Sequence, residues 1–181
     1  MRILFYTISI LVCLFLLLRT KIMVKSEEIP IFLRHDNIAA EHSTDIKLQF
    51  QSMYVPDSIK QKTLLKDYSA IWAHLNHLYS TNDVVSGKEY YTEDWFKEIC
   101  SQYESPIAGF ITRKDSIHHL YVQNWSNDGL VCTAIDSNAV FLYQYPDKKV
   151  LTQENLAVVL LFQGDHWRID ALTVLDQKTI N

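Results

Sequence analysis

The sequence predicts an α+β domain in which N-terminal helices pack on a curved antiparallel sheet, preceded by an N-terminal hydrophobic anchor. Three observations predict it. Between residues 58 and 82 the apolar side chains recur at the three- and four-residue spacing of one helical face. From about Phe110 onward the pattern changes to apolar or alternating runs separated by short turn signals, as in a strand meander. The helical half precedes the strand half instead of alternating with it, which sets the helices on one side of an antiparallel sheet. A sheet curved around a long helix leaves a cone with a pocket at its mouth.

The first element is the uncharged run "ILFYTISILVCLFLLL", Ile3 to Leu18. At about 1.5 Å per residue it barely reaches across a hydrocarbon layer of about 30 Å. Arg2 precedes it, and Arg19, Lys21 and Lys25 follow. The following "LRTKIMVKSEE" offers no small-residue cleavage site. Residues 1–25 are therefore expected to be an uncleaved, single-pass signal anchor with the domain on the extracytoplasmic side. The basic residues after the run pull the other way under the positive-inside rule. A translation start at Met23 would instead give a soluble cytoplasmic protein.

Residues 26–57 read as a polar connector with one short strand in "DIKLQFQ", where Ile46, Leu48 and Phe50 alternate with polar residues. Pro56 breaks the chain and Ser58 is the expected N-cap of the long helix. Leu64, Leu65, Tyr68, Ile71, Trp72, Leu75, Leu78 and Tyr79 form its apolar stripe, and Gly87 lies in the break that follows. A second helix starts near Thr92, with Glu93 and Asp94 complementing its dipole, and ends at Pro106 and Gly109. Five strands are then expected, in "IHHLYVQNW", "LVCTAI", "AVFLYQY", "LAVVLLF" and "WRIDALTVL". Their turns are "SNDG", "DSN", "PDKK" and "QGDH". Residues 58–181 thus make one α+β domain.

Composition narrows the function classes. The 181 residues are 48% hydrophobic, enough for a packed core, and the net charge of −4 with no basic stripe argues against nucleic acid binding. Cys13, Cys100 and Cys132 show no metal or disulfide spacing, and no HExxH, phosphate loop or nucleophile motif is present. No cofactor, catalytic set or metal site is therefore expected. Strand alternation puts Trp167 and Ile169 on the core face and Arg168 and Asp170 opposite, as a surface ion pair worth under about 1 kcal/mol. His118 shares a face with Leu120 and Val122 and reads either as a pocket hydrogen-bonder or as a satisfied core or rim histidine. His74 and His77 read as solvated helix residues. Tyr68 and Trp72, one turn apart, either pack the core or line a cavity for an apolar or aromatic ligand, and Tyr143 and Tyr145 share that ambiguity.

The long helix "LLKDYSAIWAHLNHLY", the second helix "YTEDWFKEI" and the closing pair "LAVVLLFQGDHWRIDALTVL" resemble the nuclear transport factor 2-like superfamily, with its ketosteroid-isomerase-like and polyketide-cyclase-like members, over roughly residues 58–176. The resemblance implies a cone-shaped fold, frequent dimers and a hydrophobic cavity. The expected function is a membrane-anchored, non-enzymatic binding or assembly module. Tyr68, Trp72, His118 and Tyr143 are its expected ligand-binding residues. Its expected partners are a second copy, a small apolar ligand or a protein, and the membrane through the N-terminal segment. The alternatives are an enzyme of the ketosteroid-isomerase or polyketide-cyclase kind and a subunit of an envelope secretion or conjugation complex.

Overall fold

The computed structural model describes residues 37–40, 42, 44–102 and 111–180. The chain divides into two units, Met1–Pro30 and Ile31–Asn181, and the described residues all belong to the second. The anchor expected at residues 1–25 and the helix end expected at Pro106 and Gly109 lie outside them. No helix among the described residues is long and apolar enough to cross a membrane.

The order is β1 (Asp45–Phe50), α1 (Ser58–Thr81), a 3-10 turn (Val85–Tyr90), α2 (Glu93–Gln102), β2 (Thr112–Trp125), β3 (Val131–Gln144), β4 (Lys149–Gln163) and β5 (His166–Ile180). One five-stranded sheet runs β1-β2-β3-β4-β5. The α+β class holds, but the sheet is mixed and not purely antiparallel, because β1 pairs with β2 in parallel. Physically, β1 comes before the helices, so α1 and α2 form the crossover that a parallel pair requires. The other neighbours pair antiparallel.

The expected turn at "DSN" is absent. Two expected strands are one, β3, and Asn138 adopts a left-handed backbone (φ 56°) inside it. Asx residues tolerate this conformation, so the local signal was real, but it makes a bulge where a turn was expected. The α1 cap is Asp57, not Ser58: its carboxylate accepts the N–H groups of Ile59 (3.0 Å) and Lys60 (2.9 Å). At the other end Asn82 (φ 55°) turns the chain and donates its N–H to the Leu78 carbonyl.

Helix α1 lies on one sheet face. Leu64, Tyr68, Ile71, Trp72, Leu75 and Leu78 bury against inward residues such as Leu120, Val122, Phe141, Leu156 and Trp167. Its middle, from Ala70 to Asn76, is buried on every side. His74 is therefore not solvated as expected. It is fully buried and stacks on Tyr90 at 4.9 Å, because the 3-10 turn covers a second face of the helix. His77 stays half-buried, 3.6 Å from Asp83.

Gly164 (φ 74°) and Asp165 make the two-residue turn between paired Gln163 and His166. Trp167 and Ile169 face the core as expected. The ion pair expected between Arg168 and Asp170 is not formed among the described residues; Asp165 pairs with His166 instead, at 2.6 Å. Inside, the Asp67 carboxylate accepts the Trp167 N–H at 2.9 Å and ties α1 to the start of β5. Cys100 (exposed) and Cys132 (buried) are free thiols.

Candidate functional site

Two β-bulges build the site. In a regular strand Asp115 and His118, three apart, would face opposite sides. The register of β2 against β3 shifts between Asp115 and Ile117, so Ser116 is an extra residue and both Asp115 and His118 turn inward. On β3 the register against β4 shifts between Asp136 and Ala139, which brings Asp136 onto the same buried face as Ala139 and Phe141. Two carboxylates and an imidazole thus meet beneath α1.

Their hydrogen bonds form one chain. Tyr68 Oη donates to Asp136 Oδ2 at 2.7 Å, and the His119 backbone N–H donates to Asp136 Oδ1 at 3.1 Å. His118 bonds Asp136 Oδ2 through Nδ1 and Asp115 Oδ2 through Nε2, the latter at 3.0 Å. Asp115 also accepts from Asn76 Nδ2, from Thr44 Oγ1 (2.6 Å) and from His42 Nε2 (2.9 Å). Residues 42 and 44, just before β1, therefore fasten onto the far end of the chain.

The electrostatics follow from this wiring. Burial alone would push the His118 pKa down, but the two aspartates outweigh it and raise the pKa to about 9. Both ring nitrogens then donate, as an imidazolium does. Burial opposes the charge on Asp115, yet the hydrogen bonds from His118, His42 and Thr44 hold its carboxyl well below the usual carboxylate range. Tyr68 is pushed far up by its own burial and then by Asp136.

Beside this chain lies a cavity of about 440 Å³, lined by His42, Asn76, His77, Ser80, Arg113 and Asp115 among others. Arg113 is its most distinctive group. Its Nε donates to Asn76 Oδ1 at 2.8 Å, and its guanidinium carbon lies 5.4, 5.1 and 5.3 Å from the ring centres of Trp72, Tyr79 and Phe141. It forms no ion pair with a carboxylate among the described residues. Nearby, the Tyr143 hydroxyl donates to Glu154 at 3.2 Å, and burial pushes its pKa up to about 12. Glu154 also accepts from Thr152 and Gln177, each at 2.9 Å. Among the described residues no group of three or more His, Cys, Asp or Glu is arranged to hold a metal.

Of the residues singled out from sequence, Tyr68 and His118 are linked through Asp136, and Trp72 packs on both their rings, 6.2 Å from Tyr68 and 4.7 Å from His118. All three are buried and line none of the cavities described, whereas Tyr143 is half-buried beside Tyr79. Sequence reasoning missed Asp115, Asp136, Asn76, Arg113 and Glu154. One signal was present: an Asp-Ser pair recurs at both bulges, Asp115-Ser116 and Asp136-Ser137, each in the middle of a strand pattern. Comparison with family models, characterised proteins and solved structures returns no match.

Proposed function

We propose that this chain is a non-enzymatic binding module, anchored to a membrane through the apolar run Ile3–Leu18, whose domain takes a small anionic ligand in the cavity beside Arg113. The observation that carries the reading is the Arg113 guanidinium. It is held by Asn76 and three aromatic rings, has no carboxylate partner among the described residues, and lines an open cavity. A planar fork fixed in this way has lost little further freedom to give up when it grips a carboxylate or phosphate.

The enzyme alternative needs a group ready to take a proton. The state of the buried chain counts against it. His118 has both nitrogens committed, and Asp115 is held charged by four side-chain donors. A general base is better served by a raised carboxylate pKa than by a lowered one.

The test is succinate and inorganic phosphate titrated into the full chain in detergent, with the Arg113 Nε–H resonance as readout. The expected result is a saturable shift with one of them, lost on Arg113→Gln. Equal binding in the variant, or no shift with either anion, sinks the reading. Deuterium uptake at the α-carbon of a cyclic ketone in D₂O, catalysed by the wild type, would instead favour the enzyme.

A further inference from the structure

At the opposite end of α1 is a smaller recess of about 190 Å³, whose lining includes Lys60, Trp125, Asp128, Gly129, Phe162 and Trp167. Thr63 and Asn76 are thirteen residues apart, about 20 Å along a helix, so this recess is separate from the Arg113 cavity. Its walls are aromatic: Trp167 meets Trp125 edge-on at 4.8 Å and Phe162 at 5.4 Å.

Two donors converge on it. The Trp125 side chain is 2% exposed, and its Nε1–H has no hydrogen-bond partner. A buried indole N–H normally finds one. A Cβ placed on Gly129 would stand 3.7 Å from that nitrogen and 3.5 Å from Lys60 Nζ. The space over Gly129 is therefore within reach of both an N–H and an ammonium. It stays open because Gly129 has φ +77°, a conformation that disfavours any side chain there. The neighbouring Asp128 carboxylate is already engaged, accepting from Ser126 Oγ and from the Leu130 N–H at 3.0 Å.

We propose that this recess binds a single-ring aromatic carboxylate. The ring lies against Trp125, Phe162 and Trp167, and the carboxylate sits over Gly129 between Lys60 Nζ and Trp125 Nε1. The size fits: an apolar cavity of about 150 Å³ accepts benzene, and drug-sized ligands need roughly 300 Å³ or more.

The test is benzoate titrated into the ¹⁵N-labelled full chain in detergent, following the Trp125 indole N–H resonance, assigned by Trp125→Phe. A saturable shift confined to the indoles of Trp125 and Trp167 is expected. Lys60→Met should weaken binding about tenfold, and benzyl alcohol, which keeps the ring and lacks the charge, should bind at least about tenfold more weakly. Lys60 is exposed, so that variant should fold normally. No saturable shift at about 10 mM benzoate, equal affinity in Lys60→Met, or shifts spread over every indole would each overturn the proposal.

Discussion

Raising the pH should strip stability from this domain through one residue, His118. Its folded pKa is about 9 against an ordinary value of 6.5. The native state therefore holds a proton that the unfolded chain releases between those values. The stabilisation is fully present below pH 6.5, declines as pH rises, and is gone above about 9. The difference of about 2.5 units, at roughly 1.4 kcal/mol each, corresponds to about 3 kcal/mol. That is a large share of the 5–15 kcal/mol typical of a whole domain. Urea unfolding of the full chain in detergent, read by tryptophan fluorescence at pH 6, 7.5 and 9, should show the loss. The His118 Hε1 resonance should titrate well above pH 7. A His118→Gln variant should lose most of the slope; should it fail to fold, the resonance alone decides. A titration midpoint at or below 6.5 refutes the reasoning, because it would mean that burial, not the pair of aspartates, controls the ring.

Other perturbations have narrower outcomes. Asp57→Ala removes the carboxylate that caps Ile59 and Lys60, and urea midpoints should report a loss of about 1 kcal/mol. Gly87→Ala drives a methyl into the ring and hydroxyl of buried Tyr91, so thermal unfolding should register a cost of about 1–3 kcal/mol. Cys132 is fully buried with its pKa pushed up to about 12, so a thiol reagent at pH 8 should label exposed Cys100 at once and Cys132 only as the domain unfolds.

The helix positions, the closing hairpin and the core face of β5 were legible in the sequence, because each depends on a local pattern. Leu64 to Leu78 announces α1, and Gly164-Asp165 announces the last turn. What local periods cannot carry is a partner on a second side. His74 looked solvated because nothing in its own helix predicts that Tyr90 will fold over it. Parallel pairing of β1 depends on the path of the whole crossover, which no strand pattern encodes. The candidate site was hidden for a sharper reason. Strict alternation separates Asp115 from His118, and only the extra residue at Ser116 reunites them. Arg113 carries no signal in the sequence, because Trp72, Tyr79 and Phe141, the rings around it, come from other elements or distant positions.

The buried charges also answer a question of register. "HH" at positions 118 and 119 offers two near-equivalent alignments of β2, differing by one residue. In the alternative, Ile117, His119 and Tyr121 turn inward and Leu120 and Val122 turn out. Apolar burial alone discriminates weakly between those sets, since each contains aliphatic or aromatic side chains. The aspartates discriminate strongly. Asp136 accepts from the His118 ring, the His119 backbone and the Tyr68 hydroxyl together, and Asp115 reaches the other His118 nitrogen. A slip of one residue would turn the His118 ring away from Asp136 and Asp115, and breaking such a buried pair costs about 3–5 kcal/mol. A triad of this kind contributes little net energy against well-packed apolar residues, but it makes the wrong alignment expensive. Keeping a single histidine, at either 118 or 119, tests this directly. The His118→Leu variant should fold less stably than the His119→Leu variant by at least about 2 kcal/mol in urea unfolding. Equal stability of the two single-histidine chains would show that apolar packing sets the register without help from the aspartates.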